Sequence, residues 1–220
     1  DMDILSASFN DNKIAWYEQE GSPIIFQPQT KAELQTAVDM WVEDNASAVA
    51  AYGQIYIWDV SLITDMSDLF HGKTTFNDDI SDWDVSGVTS MQRMFRSAGS
   101  FNGDLSSWNV SIVTNMDDMF RGANSFNGDI SNWNVQQVTD MNEMFFGATN
   151  FNGYISNWDV QNVVNFSSMF YEASSFDQDL SNWQASAAIH MNWMFKNAID
   201  FNGNISNWNV QQVTDMNEMF

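Results

Sequence analysis

A tryptophan recurs every 25 residues through most of this 220-residue chain. The tryptophans in this register are Trp58, Trp83, Trp108, Trp133, Trp158, Trp183 and Trp208. A fixed period of this length is typical of repeat proteins, in which each repeat is one supersecondary unit that stacks on its neighbours. The sequence therefore predicts one elongated solenoid rather than several globular domains.

The chain divides into two segments. Residues 1–50 do not match the repeat, whereas residues 51–220 contain seven 25-residue repeats, the last of them incomplete. In the first segment, short apolar runs flank the turn sequence Glu20-Gly21-Ser22-Pro23, which is compatible with a small hairpin over residues 13–26.

A helix over about residues 30–50 is predicted to precede the repeats. Thr30 and Glu33 have the spacing of a capping box. The apolar residues behind them recur at helical spacing: Leu34, Ala37, Val38, Trp41 and Val42. This one-faced helix is expected to cover the apolar end of the first repeat. A partner-binding helix is the alternative.

Two apolar periodicities follow one another within each repeat. Trp83-x-Val85 alternates, which predicts a short strand. The next apolar residues lie three or four apart and predict a short helix: Val88, Met91, Met94, Phe95 and Ala98. The predicted fold class is therefore α/β: a right-handed, leucine-rich-repeat-like solenoid with a parallel sheet on one face, short helices on the other and an N-terminal capping helix.

The repeat resembles a known family. Ile80-x-x-Trp83-x-Val85-x-x-Val88 is similar to the leucine-rich-repeat signature, with Trp at the central position. The longer string Phe-Asn-x-Asp-Ile-Ser-Asn-Trp-Asp-Val-x-x-Val-Thr-x-Met-x-x-Met-Phe resembles the repeats of BspA-like surface proteins, also known as the DUF285 or mycoplasma-type lipoprotein family. The resemblance covers residues 51–220, and residues 30–38 resemble the lead-in helix of that family.

This resemblance implies a cell-surface or secreted protein associated with adhesion, and it implies no enzyme activity. The chain departs from the leucine-rich pattern because Val88, Val113 and Val138 occupy the position where an asparagine ladder is usual. Another column is predicted to supply that ladder: Asn77, Asn102, Asn127, Asn152, Asp177 and Asn202.

Composition excludes several classes of function. The net charge of −22 disfavours nucleic acid and anionic lipid as partners. The chain has no cysteine and no apolar run long enough to span a bilayer, so membrane insertion of this segment is not expected. His71 and His190 lie nearly five repeats apart and cannot share a catalytic site, so an enzyme is not predicted.

Four carboxylates share one repeat position and form the candidate metal site: Asp79, Asp104, Asp129 and Asp179. Like charges stacked at the repeat spacing repel, and a divalent cation with oxygen ligands would relieve that repulsion. Ca²⁺ is therefore the one cofactor considered, and solvated carboxylates are the alternative.

The positions that flank each tryptophan are predicted to point away from the core as a polar ligand-binding face. The candidate residues are Asp82, Asp84, Asn109, Asn132, Asn134, Asn157, Asp159, Asn182, Asn207 and Asn209. Rows of amides and carboxylates can bind sugar hydroxyls or an extended chain. The alternative is a hydrated sheet that binds nothing.

The repeat at 176–200 departs most from the others. Ala185 and Ala188 replace valines of the consensus, and Trp193 is a tryptophan outside the 25-residue register. The sequence suggests that Trp193 leans into the core to fill the lost volume.

Two functions remain open. The first is an adhesion module that binds a glycan or an extracellular or surface protein through the polar face. The second is a structural protein whose copies assemble into a fibre or surface layer, suggested because residues 126–145 and 201–220 differ only at Asp129 and Asn204.

Overall fold

Two consecutive helices precede the repeats in the computed structural model, which describes residues 25–220. Helix α1 spans Lys31–Glu43 and helix α2 spans Asn45–Tyr52, followed by a 3₁₀ turn at Ile55–Ile57. Thr30 caps α1 by accepting a 3.2 Å hydrogen bond from the Glu33 N–H, which confirms the predicted start. Asp44 separates the two helices and caps the second. The hairpin predicted over 13–26 lies almost entirely outside the described residues.

Helix α1 packs against the first repeat through its apolar stripe. Leu34, Ala37 and Val38 are fully buried there. The Trp41 ring meets that of Trp58 edge-on, with centroids 5.8 Å apart, and its Nε1–H donates to Asp78 Oδ2 at 2.9 Å. The helix therefore lies where the sequence predicted a cap.

The repeats stack with their aromatic side chains in register, one above the next, in a continuous core. Each Phe of one column lies 5.3–5.7 Å from the next: Phe70, Phe95, Phe120, Phe145, Phe170 and Phe195. A second column has spacings of 5.8–6.0 Å: Phe76, Phe101, Phe126, Phe151, Phe176 and Phe201. The repeat tryptophans are buried up to Trp183, and Trp208 is partly buried. The interior column of indole rings is confirmed.

The predicted parallel sheet is wrong. Within residues 25–220 the only parallel strand pairing between repeats consists of single-residue bridges, which link Asp65, Ser90, Asn115, Asp140, Asn165, His190 and Asp215 in succession. The stretch predicted as a strand is folded into tight turns, because the Trp83 N–H donates to the Ile80 carbonyl at 3.2 Å and the Val88 N–H to the Val85 carbonyl at 2.9 Å. A backbone closed at these short intervals cannot extend into a strand.

The short helices predicted within the repeats, such as that from Val88 to Ala98, are also wrong, because these residues form a run of tandem turns. Met94 and Arg96 each donate a backbone hydrogen bond to the residue three positions earlier, at 3.1 Å. Arg93 and Ser97 have left-handed φ values of 56° and 58°, which a right-handed helix does not contain. Apolar residues three or four apart suit both structures, so periodicity could not separate them.

Alternate peptide groups of this run bond the next repeat instead of their own. The N–H groups of Met91, Arg93 and Phe95 donate to Asn115, Asp117 and Met119 carbonyls at 2.9–3.0 Å. Inter-repeat backbone bonding thus lies mainly where the sequence predicted helix. The α/β class, with a right-handed leucine-rich-repeat-like solenoid of sheet and helices, is therefore corrected to stacked coils of tandem turns.

Side chains complete the bonding between repeats. Each repeat tryptophan from Trp83 to Trp208 donates its indole N–H, at 2.9–3.2 Å, to the backbone carbonyl 28 residues earlier. The predicted asparagine ladder is confirmed, since Asn102 Oδ1 accepts from the Asn127 N–H at 2.8 Å and Asn127 Oδ1 from the Asn152 N–H at 2.9 Å. These bonds satisfy polar backbone groups that stacking removes from water.

The prediction that Trp193 fills the core is wrong. Its side chain is 40% exposed, whereas Ala185 and Ala188 are buried. The preceding repeat has Phe166 where other repeats have methionine, and this ring lies 5.8 Å from Trp183. We attribute the compensation for the small alanines to Phe166.

Candidate functional site

The residues of the predicted polar face all lie exposed on the stacked turns. Several are fixed by local hydrogen bonds: Asn134 Oδ1 accepts from the Gln136 N–H at 3.1 Å, and Asn109 Oδ1 from the Ser111 N–H at 3.1 Å. Asp84 does the same with Ser86 at 3.0 Å. One side-chain atom therefore holds the turn, while the rest of the amide or carboxylate faces solvent.

The predicted metal column has the same local chemistry. One carboxylate oxygen of each residue accepts from the N–H of the serine two positions on, at 2.8–3.0 Å, in Asp79, Asp104, Asp129 and Asp179. Among residues 25–220, no group of three or more His, Asp or Glu side chains is placed to hold a metal ion. The hydrogen bonds to the serines give these aspartates a structural role in the turns.

Two aspartates in the same repeat have their pKa values moved in opposite directions. Hydrogen bonds from the side chain and backbone of Ser131 lower the pKa of Asp129. Burial raises the pKa of Asp140, and the charge of Asp117 adds to that rise against the hydrogen bond from the Asn142 backbone. Ionised Asp129 therefore stabilises the folded state, whereas ionised Asp140 destabilises it.

We expect Asp140→Asn to raise the thermal unfolding midpoint at pH 7, because asparagine keeps the oxygen acceptor and removes a poorly solvated charge. Asn115 and Asn165 occupy the same repeat position, so the change suits the fold. The rise in the unfolding midpoint should be complete at a pH above the raised pKa of Asp140 in the folded protein. It should disappear as the pH falls to the pKa of an aspartate in the unfolded chain, near ~3.9. Thermal unfolding followed by circular dichroism across pH measures it.

The matched control is Asp129→Asn, since Asn204 occupies that repeat position. Its loss of stability should be full above ~pH 4 and vanish below the lowered folded pKa. Equal pH profiles for the two variants would contradict both assignments.

A second surface, which we call the turn face, carries most of the basic side chains. It consists of the left-handed residues Asp68, Arg93, Asp118, Glu143, Ser168, Trp193 and Glu218, and of the residues three positions later, His71, Arg96, Arg121, Phe146, Tyr171 and Lys196. Arg93 pairs with Asp68 at 2.8 Å and Arg96 with Asp118 at 3.1 Å. Arg121 pairs with Glu143, and Lys196 with Glu218.

Aromatic side chains interrupt this charged surface. Phe146 and Tyr171 stack with centroids 4.5 Å apart and planes within 1° of parallel. The Arg121 guanidinium lies 4.4 Å from the centre of the Phe146 ring. Beside this stack, a cleft of about 350 Å³ is lined by Ser168 and Trp193 as well as by the aromatic and charged side chains.

Sequence reasoning missed the turn face. The periodicity assigned these positions to a helical wall, and Trp193 was placed in the core. A usable signal was present: the residue at this position changes in each repeat, from Arg93 to Asp118 to Glu143 to Ser168 to Trp193, while the apolar positions stay nearly constant. A position that varies between repeats while the apolar core stays constant is characteristic of a surface where each repeat makes different contacts.

A comparison with protein families gives one match. The family model described as "Mycoplasma protein of unknown function, DUF285" matches residues 39–145 and again residues 128–220. The two matches overlap and together cover most of the chain. No curated protein matches it. In the described part of the chain, no helix has both the length and the apolar character needed to cross a membrane.

Proposed function

The chain belongs to the DUF285 family, and on that premise we propose that it is a non-enzymatic adhesion module, secreted or displayed at the cell surface. Its ligand is a glycan or an extracellular matrix protein, bound through the polar face. Nucleic acid is disfavoured as a ligand by the net charge of −22.

The observation that carries this proposal is the repetition of exposed amides and carboxylates on a stacked scaffold. Every repeat from Trp83 onward places polar side chains on both sides of its tryptophan, and all of them are exposed. Such an array offers several equivalent contacts, whose individual weakness is offset by their number. A long glycan or an extended polypeptide could engage consecutive rows.

The local hydrogen bonds give this array a second advantage. Asn109 and Asn134 each use Oδ1 to accept a backbone hydrogen bond, which holds the side chain in place. The NH₂ group remains directed away from that bond as a donor to a ligand. A side chain that is already ordered loses less conformational entropy on binding, so the array is partly preorganised.

The test is an array of glycans and matrix proteins probed with the wild-type chain at low and high calcium. The double variant Asn109→Asp with Asn134→Asp keeps the Oδ1 acceptors of the turns but replaces two amide donors. We expect affinity for the bound ligand to fall about tenfold, as for two lost hydrogen bonds. Tyr154→Ala, which changes an exposed residue outside this face, is the control. Absence of wild-type binding, or an unchanged variant, would contradict the proposal.

Self-assembly is the second candidate, supported by the near-identity of residues 126–145 and 201–220. Repeats of nearly the same sequence present nearly the same surface, which suits regular association of copies. Light scattering over a range of protein concentrations tests it. A single monomeric species at all concentrations would remove self-assembly for this chain.

A further inference from the structure

We propose that the turn-face cleft at Ser168 binds one sugar ring, with Trp193 as the surface on which the ring stacks. This inference rests on the proposed function, since it assumes a glycan ligand. It adds a binding site on a part of each repeat that the polar face does not include.

The cleft exists because one small residue interrupts a column of large ones. Ser168 lies between Glu143 and Trp193 in the left-handed column, and its neighbours in sequence register all have longer side chains. Ser168 is only 5% exposed, so it forms the floor. Its side chain lines the cleft, and a serine hydroxyl can both donate to and accept from a ligand.

The apolar part of the cleft is provided by aromatic rings. Trp193 is 40% exposed and has a left-handed backbone conformation. An indole in this position contributes nothing to the core. Phe146 and Tyr171, which stack on each other, form the adjoining wall. A flat ring with an apolar face, such as the C–H face of a pyranose, can cover the indole and remove both surfaces from water.

The charges around the cleft cancel. Arg121 and Lys196 lie among the lining residues, and each is paired with a glutamate of the lining, Glu143 and Glu218 respectively. In a chain with a net charge of −22, this local neutrality removes the preference for a cation that the protein otherwise has. Fixed donors and acceptors beside an aromatic surface suit an uncharged ligand with many hydroxyl groups.

The size limits the ligand to one ring. A cleft of about 350 Å³ is at the lower end of the range for small-molecule sites. A monosaccharide unit fits this volume, and the rest of a longer glycan would extend over the neighbouring surface. The lining places three aromatic rings beside two ion pairs and one serine, so that an apolar surface adjoins hydrogen-bonding groups.

The experiment uses the full chain labelled with 5-fluorotryptophan and followed by ¹⁹F NMR. The Trp193 resonance is assigned from its loss in Trp193→Phe. Methyl glycosides of glucose, galactose and N-acetylglucosamine are titrated at millimolar concentration. We expect the Trp193 resonance to shift with saturation for at least one of them, while the resonances of buried tryptophans such as Trp133 stay in place.

Two variants remove the site by different means. Trp193→Glu takes away the stacking surface, and Ser168→Glu fills the cleft. Glutamate occurs at this repeat position as Glu143 and Glu218, so both changes suit the backbone. Each should weaken glycoside binding by about tenfold or more, since stacking and desolvation of one ring are worth that much. Tyr154→Ala, which removes an exposed aromatic residue elsewhere, is the control.

The outcomes separate this inference from the proposed function. If wild type binds glycans, and only the Asn109/Asn134 variant loses binding, the cleft is overturned and the adhesion function stands. No shift of the Trp193 resonance with any glycoside also overturns the cleft, even if a matrix protein binds. A shift caused by peptides but by none of the glycosides overturns it as well.

Discussion

Phe120→Ala is expected to lower the free energy of unfolding by about 3–5 kcal/mol, the usual cost of emptying a buried phenylalanine site. Phe120 is fully buried in a central repeat. Its ring stacks on Phe126 with centroids 3.9 Å apart and lies 5.5–5.6 Å from Phe95 and Phe145. The substitution therefore removes contacts to the preceding repeat, through Phe95, and to the following repeat, through Phe126 and Phe145.

The size of this effect follows from the architecture. Within the repeats no helix or strand gives a coil stability of its own, so each coil depends on its neighbours. Urea unfolding followed by both circular dichroism and tryptophan fluorescence measures the loss. The two signals also show whether the repeats on either side of Phe120 still unfold together.

Tyr154→Ala, two repeats further along the chain, is the matched control, because Tyr154 is 51% exposed. It should change stability by no more than about 0.5 kcal/mol. A loss below about 1 kcal/mol for Phe120→Ala would show that the aromatic columns do not hold the repeats together.

Trp133→Phe is expected to cost about 0.5–1.5 kcal/mol through one lost hydrogen bond, in addition to the cost of a smaller ring. The Trp133 indole N–H donates to the buried Leu105 carbonyl at 3.0 Å. Phenylalanine fits the apolar site but cannot donate. The Leu105 carbonyl would keep the hydrogen bond from the Trp108 N–H at 3.2 Å, so the variant loses one of its two donors.

Trp193→Phe is the matched control, since it makes the same chemical change at an indole that is 40% exposed. Thermal and urea unfolding of the two variants give the difference directly. If both variants lose equally little stability, the indole ladder does not contribute to folding, and the tryptophan period reflects ring packing alone.

The 25-residue period was sufficient to predict the stacked repeats and the burial of the tryptophans from Trp58 to Trp183, and the resemblance of the repeat string identified the family. The capping box at Thr30 was sufficient to place the start of α1. The asparagine column was predicted because valine occupies the usual ladder position, so that another column of amides had to bond the backbone of the neighbouring turns. In each case the residue type requires one environment, whatever the backbone conformation between these positions.

The backbone conformation itself could not be predicted in this way. Met91, Met94, Phe95 and Ala98 have a spacing that suits a helix and tandem turns equally. The choice depends on where the N–H groups of Met91, Arg93 and Phe95 find acceptors, and those acceptors are carbonyls of the next repeat. The predicted helices are wrong for this reason, whereas the predicted strand is wrong because the Trp83 and Val88 N–H groups bond carbonyls three residues earlier in their own repeat.

The two candidate sites also differ in whether the sequence was enough to find them. The exposure of Asn109 and Asn134 follows from their position next to a buried tryptophan and needed only the sequence. The cleft at Ser168 needed the stacked structure, because Glu143, Ser168 and Trp193 are 25 residues apart and only stacking makes them neighbours. The sequence alone determined which side chains are buried and that they recur every 25 residues. The tertiary structure decided the path of the backbone and which surface residues meet, because both depend on hydrogen bonds and contacts between repeats.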